Sequence, residues 1–261
     1  GSIGSSCVTV DGACSVTWTS QDPRGLNDLG DVDIGRTTIL VTAIGEEYFV
    51  DANGNGTYDE DELFQNLPEA FLDRNEDGQY TPDFNPSDLT GAEETFVDFN
   101  SNGVYDLNIS PTWYNGILCP QSGAGVFCSR DLLNVRDQIT IVMSLSSMNI
   151  VLRDNRNGRI VGTAVENQEY TVEISDDFGN PPEGGAPITV TSAGDCSIRT
   201  GTSFEAFNTN APGAFTFRLA VEGEGEPGAT VSVAVTNGNV TTTQQFNCDT
   251  IAPPPEDPNA P

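Results

Sequence analysis

Thr230-Val-Ser-Val-Ala-Val-Thr236-Asn237-Gly238-Asn239-Val240-Thr-Thr-Thr-Gln-Gln-Phe-Asn247 reads as two strands around a tight turn. Alternating β-branched residues suit a pleated, half-buried surface. Asn-Gly supplies the two left-handed positions that a two-residue hairpin turn needs. Working backward, 149–154, 169–175, 188–192 and 214–221 are further short β runs, with turn residues between them. Six such runs at this spacing predict one complete two-sheet β-sandwich over residues 146–250. The tail 251–261 holds five prolines and reads as a stiff, extended linker or end.

The first half is strand-rich too. Residues 14–20 alternate, 36–44 form a run rich in Thr, Ile and Val, and 135–144 form another. An acidic segment at about 46–110 separates the last two. Residues 1–145 are therefore read as a second β-sandwich, two of whose neighbouring strands are parted by an insertion. A short helix is expected over 61–70, broken at Pro68.

Inside the insertion one pattern occurs three times in register: Glu-x-aromatic-aliphatic-Asp-x-Asn-x-(Asn or Asp)-Gly-x-Tyr. Its copies start at Glu47, Glu69 and Glu94. Calcium takes six to eight oxygens, and a twelve-residue loop supplies them from positions 1, 3, 5, 7, 9 and 12, with glycine at 6 for the sharp turn. Copy one fits throughout, with Asp51, Asn53, Asn55, the Thr57 carbonyl, Asp59 and Glu62. Copy two offers Asp73, Asn75, Asp77 and the Gln79 carbonyl, but has Thr81 at position 9 and Phe84 at 12. Copy three offers Asp98, Asn100, Asn102, the Val104 carbonyl and Asp106, but has Ile109 at position 12. The closing carboxylates of the last two must come from elsewhere. Glu47, Glu69 and Glu94, each four residues ahead of a first Asp, are the candidates, closing either their own loop or a neighbour's. A single Asp/Asn/Gly cluster is often only a turn; three copies in register point to about three calcium ions or more.

Charge agrees. Residues 46–108 hold seventeen Asp and Glu against the single Arg74, a formal charge of −16, which repels itself unless cations intervene. Phe49, Phe71 and Phe96 at one offset, with Tyr58, Tyr80 and Tyr105 at another, give the repeats an apolar backing that a disordered acidic tract lacks.

The whole chain carries −29, with Arg as its only basic residue and no His. That excludes the basic surface needed for nucleic acid or an anionic membrane. It also excludes His-dependent triads and the commonest zinc and copper sites. No apolar run reaches the length of a membrane span, and no enzyme is expected, since the acids are better explained by cation binding. No initiator Met or leader pattern is seen, which reads as a mature product or an excised fragment. Cys7, Cys14, Cys119, Cys128, Cys196 and Cys248 contain no CxxC pair and suggest disulfides in an oxidising, extracellular or periplasmic setting. Six cysteines allow 15 pairings. The preferred set joins Cys7–Cys14, Cys119–Cys128 and Cys196–Cys248, worth about 2.5 kcal/mol for each short loop and about 4 for the long one. Its rival crosses the insertion from Cys14 to Cys119 or Cys128.

The stretch Val172-Glu-Ile-Ser-Asp176-Asp-Phe-Gly179-Asn180-Pro181, followed by Gly184 and the run at Ile188, resembles the early strands of bacterial Ig-like domains of the invasin and intimin kind. The first half, with Gly12-Ala-Cys14-Ser-Val-Thr-Trp18, the run 36–47 and EF-hand- or dockerin-like calcium repeats, is similar to variants of such domains in large secreted or surface proteins of Gram-negative bacteria. The resemblance implies an all-β chain of tandem immunoglobulin-like β-sandwiches, the first with a loop-rich calcium-binding insertion. Such modules act as spacers, adhesin stalks or display units, beside other copies or tandem Ig-like domains. The first domain is expected to lack its early strands: either the chain is cut from a longer array, or a neighbour's strand completes the sheet in a filament. An alternative use is recognition of a glycan or protein receptor through calcium-ordered loops and aromatics such as Trp113 and Tyr114. Trp18, on an alternating run, reads as core.

Overall fold

The computed structural model describes residues 1–20, 35–82, 94–108, 113–222 and 228–249. The Pro-rich tail, Phe84 and Ile109 lie outside the described residues. Two compact units emerge, one of Thr37–Ile141 and the other of Gly1–Arg36 with Val142–Pro261. The fold is all-β: among the described residues there is no helix.

In the second of these units, β1 (Ser2–Ile3) pairs antiparallel with β2 (Trp18–Thr19), and a disulfide joins Cys7 to Cys14. The alternation over 14–20 thus yields only two paired residues, and Trp18 is half-buried rather than core.

In the unit Thr37–Ile141, β3 (Arg36–Gly45) pairs with β6 (Leu133–Val142), so the strands flanking the acidic segment are neighbours, as their sequence predicts. Between them, β4 (Tyr114–Asn115) pairs with β5 (Cys128–Ser129), beside the Cys119–Cys128 disulfide. The sequence leads one to expect a sandwich over 1–145. Among the described residues of that segment the strands pair only two by two. The physical reason is where the chain is spent: most of the segment is loop, ordered by side-chain-to-backbone hydrogen bonds instead of ladders. Nor is 61–70 helical. Phe64 makes a bridge with Phe49, flanked by Val50 N–H to Leu63 O at 2.8 Å and Gln65 N–H to Tyr48 O at 2.8 Å.

The two-layer sandwich is seen in the second half. Its strands are β7 (Asn149–Asp154), β8 (Ile160–Val161), β9 (Thr163–Val165), β10 (Glu169–Ser175), β11 (Pro187–Ala193), β12 (Ser197–Ile198), β13 (Ser203–Glu205), β14 (Phe215–Glu222), β15 (Thr230–Asn237) and β16 (Val240–Asp249). One five-stranded sheet runs β12-β14-β10-β7-β8 and the other β13-β11-β15-β16-β9. Burial alternates along β10, β14 and β15. Leu152, Val172, Leu219 and Val221 of one sheet and Ile188, Val190, Val231, Val233 and Val235 of the other share one core. Each such side chain stabilises the fold by roughly 1.5–3 kcal/mol. The chain changes sheets at Gly162, between β8 and β9. Cys196, ahead of β12, is bonded to Cys248 in β16, tying the two layers.

One turn of this sandwich gives a pH prediction. The Asp154 carboxylate accepts from Arg156 Nη2 at 2.8 Å and Nε at 3.1 Å, and from the Arg156 amide at 2.9 Å. The Arg156 side chain foremost holds its pKa down, from 3.8 to about 2. Because the folded value is depressed, the pair's contribution is complete above the ordinary value and is lost as pH falls through the folded one. Thermal melts of the sandwich should therefore lose stability between about pH 4 and pH 2, and Asp154→Asn should flatten that part of the profile. An unchanged slope in the variant would mean that other acids set it.

Candidate metal centre

The three acidic copies fold into three loops of one design. Each has left-handed backbone at positions 4 and 6: Gly54 and Gly56, Glu76 and Gly78, Ser101 and Gly103, all with φ between 60° and 78°. Position 6 is glycine throughout because side chains avoid that region. At position 4 the loop imposes the same conformation on Glu76 and Ser101, which sequence gives no reason to expect. The turn aims the position-6 amide at the first Asp: Gly56, Gly78 and Gly103 donate to Asp51, Asp73 and Asp98, each at 2.8 Å. The position-7 amides of Thr57, Gln79 and Val104 donate to the side-chain oxygens of Asn55, Asp77 and Asn102, each at 2.7 Å. At position 9, Asp59 accepts from the side-chain Nδ2 groups of Asn53 and Asn55, and Asp106 from those of Asn100 and Asn102.

The closing carboxylates follow one rule. In loop one, Glu62 accepts from Ala52 N at 2.8 Å and Asp59 N at 3.1 Å, the amides of positions 2 and 9. In loop two the same two amides, Arg74 N and Thr81 N, go to Glu94, each at 2.9 Å. In loop three, Phe99 N and Asp106 N go to Glu69, at 2.8 and 3.1 Å. The leading glutamate of copy two thus closes loop three, and that of copy three closes loop two. The antiparallel bridge Phe71↔Phe96 sets the exchange, since each glutamate lies two residues before a bridging phenylalanine.

Glu47 obeys the rule as well, and reveals a fourth copy. It accepts from Leu67 N at 2.9 Å and Asn115 N at 2.8 Å. Glu62-Leu63-Phe64-Gln65-Asn66-Leu67 is the opening half of a repeat, with Phe64 bridged to Phe49; Tyr114-Asn115 supplies its positions 8 and 9. The aromatic packing repeats the pattern. Tyr80 stacks on Tyr105 at 4.1 Å between edge-on Phe71 and Phe96, and Tyr58 stacks on Tyr114 at 4.6 Å between edge-on Phe49 and Phe64. Copies two and three as a pair are therefore inserted within the fourth copy. Sequence reasoning misses Asn66 and Asn115 and gives Tyr114 a recognition role instead of a place in this repeat; the half-motif Glu62-x-Phe64-x-Asn66 is the available sign. Its sequence offers no Asn or Asp at positions 3 and 5, which are Pro68 and Ala70 counted forward from Asn66 and Ile109 and Pro111 counted back from Tyr114, so the split copy lacks the oxygen-donor run of a cation loop.

The fit to a hard cation rests on the donor set. Every group at positions 1, 3, 5 and 9 bears oxygen, and each carbonyl or carboxylate oxygen that accepts one backbone amide keeps further lone pairs. Glu47, Glu69, Asp73 and Glu94 are at most 2 % exposed, and the bonds that hold them come from amides, not from basic side chains. Burial pushes the Glu47 carboxyl up from its ordinary value, against the amides of Leu67 and Asn115. The Asp73 Oδ1 is buried with no hydrogen-bond partner, whereas the Oδ1 of Asp51 and of Asp98 accepts the position-5 amide. A buried carboxylate oxygen without a donor is costly unless a cation meets it. Among the described residues no three His, Cys, Asp or Glu side chains are gathered closely enough to hold a metal as they stand. Asp59 and Asp106 accept from the side-chain NH₂ groups of the asparagines at positions 3 and 5 of their loops.

Of the recognition candidates, Tyr114 is fully buried and donates to Glu46 at 2.9 Å, so it is packing and not a receptor contact. Trp113 is half-buried. Comparisons with protein-family models, with curated proteins and with solved structures give no match for this chain.

Proposed function

We propose that this chain is a calcium-ordered structural or adhesive module of an extracellular bacterial assembly, with the unit Thr37–Ile141 stiffened by three ions. The observation that carries the reading is the threefold recurrence of one oxygen-donor loop, closed each time by a glutamate on the amides of positions 2 and 9. Glu62, Glu94 and Glu69 take that place in loops one, two and three. Asp51, Asn53, Asn55, the Thr57 carbonyl and Asp59 complete loop one. Asp73, Asn75, Asp77 and the Gln79 carbonyl serve loop two, and Asp98, Asn100, Asn102, the Val104 carbonyl and Asp106 serve loop three. Support for the setting comes from three disulfides that use all six cysteines, from the charge of −29, and from the resemblance to invasin-type Ig-like domains. No helix among the described residues is long and apolar enough to cross a membrane.

Pulling single molecules end to end, with and without calcium, tests the reading. A load-bearing module gives one cooperative unfolding event for Thr37–Ile141 in calcium, and extends at low force after chelation. Identical traces in both conditions would overturn it. Sedimentation of the same samples separates two forms of the proposal: constant mass means a spacer, and calcium-dependent growth means a filament subunit.

A further inference from the structure

We infer that loops two and three form a single two-ion centre that fills cooperatively, while loop one fills on its own. This rests on the calcium reading proposed above. Three observations carry it.

First, the closing carboxylates are exchanged. Glu94, from copy three, is fixed on Arg74 and Thr81 of loop two, and Glu69, from copy two, on Phe99 and Asp106 of loop three. An ion in loop two that engages Glu94 therefore holds the strand leading into loop three, and the converse is equally true. Second, the two strands that carry these glutamates are one hydrogen-bonded element: Leu72 N donates to Thr95 O at 2.8 Å and Val97 N to Ala70 O at 2.7 Å. Moving either glutamate moves both loops. Third, Asp73 in loop two is 1 % exposed and its Oδ1 has no donor. That oxygen belongs to position 1, where a hard cation takes its first ligand. A cation that meets this oxygen offsets the cost of burying it without a donor, and it does so on the strand that loop two shares with loop three. Loop one differs: Glu62 follows its own loop in sequence, and its pairing partner is the split copy, which lacks the oxygen-donor run of a cation loop. Binding at two sites that share one ordering step is reciprocal, each ion raising the other's affinity.

The test reads the three loops separately. The amides of Gly56, Gly78 and Gly103 each donate to the first Asp of their loop and so report its occupancy by ¹⁵N NMR during a calcium titration of the chelator-stripped chain. The expected result is that Gly78 and Gly103 move along one common curve, steeper than single-site binding, while Gly56 follows a separate hyperbola. Separate hyperbolic curves for Gly78 and Gly103 overturn the inference. If none of the three glycines responds to calcium, it is the calcium reading itself that fails. Asp77→Ala, at an exposed position in loop two, should shift the Gly103 midpoint to higher calcium by about 5–150-fold, the usual span of coupling. An unmoved Gly103 curve overturns the coupling. Glu69→Gln should abolish the Gly103 response, and Glu94→Gln the Gly78 response. The opposite assignment would mean that each glutamate closes its own loop. Where a buried glutamine prevents folding, the wild-type curves and Asp77→Ala decide the matter alone.

Discussion

Calcium at a hundredfold excess over its dissociation constant should stabilise the unit Thr37–Ile141 by about 2.7 kcal/mol per site, or about 8 kcal/mol for three. For a domain of this size that corresponds to a rise of about 30 °C or more in the melting midpoint. The unit has little else to rely on. Its largest fully buried side chains are Phe71, Tyr114 and Leu133 with the carboxylates of Glu47 and Glu69, and two-stranded ribbons are marginal on their own. Seventeen acids against one arginine over 46–108 add self-repulsion. Scanning calorimetry of the chelator-stripped chain, with and without calcium, should show one transition moving and another, from the sandwich, staying near its place. Magnesium prefers smaller, octahedral sites and should reproduce little of the shift. If both transitions stay fixed with calcium, the loops are acidic turns, and the unit is held without metal by its aromatic quartets, its disulfide and its two-stranded pairings.

Replacing both Cys196 and Cys248 by alanine should cost the sandwich about 4 kcal/mol in the chain-entropy account, because the bond closes a long loop. Here the separation is 52 residues. The effect should fall on the sandwich transition, leaving the calcium-dependent one in place. Removing Cys7–Cys14 or Cys119–Cys128, with separations of 7 and 9, should matter less, about 2.5 kcal/mol each. Chemical denaturation of the double variant, monitored on the sandwich core, measures the difference. A loss below about 1 kcal/mol would mean that the unfolded chain is already compact across that loop.

How much of this was legible in the sequence depends on what kind of force orders each segment. The strands β7 and β10 were readable to the residue, and β11, β14, β15 and β16 to within two, because alternation reports burial on one sheet face directly. The short edge strands β8, β9, β12 and β13 were not, since two or three residues carry no period. The disulfides followed the preferred pairing. In the acidic loops the common turn at positions 4 to 7 follows the spacing of the motif, and in loops two and three a carboxylate from outside the loop meets the position-2 and position-9 amides. Which glutamate goes to which loop was not legible, because the choice is made by the pairing of Phe71 with Phe96, a tertiary contact. By spacing Glu62 is position 12 of an ordinary loop; in the structure it is also the leading glutamate of a fourth repeat, two residues before the bridging Phe64. The fourth copy has no continuous signature in the sequence, because its halves, 62–67 and 114–115, are separated by two intact copies. A helix over 61–70 was the wrong expectation for the same reason: those residues are the bridge-forming arm of that hidden repeat.

The nesting of one pair of repeats inside another sets an order of events for the folding chain. Contacts of the inner pair, such as Glu94 with Arg74, span 20 residues, whereas Glu47 must wait for Asn115, 68 residues away. Closing a long flexible loop is slow and entropically costly. An inner pair that has already condensed brings Leu67 and Trp113 together and turns the long closure into a short one. Condensation of the inner pair would then set the tempo at which the outer aromatic quartet zips shut.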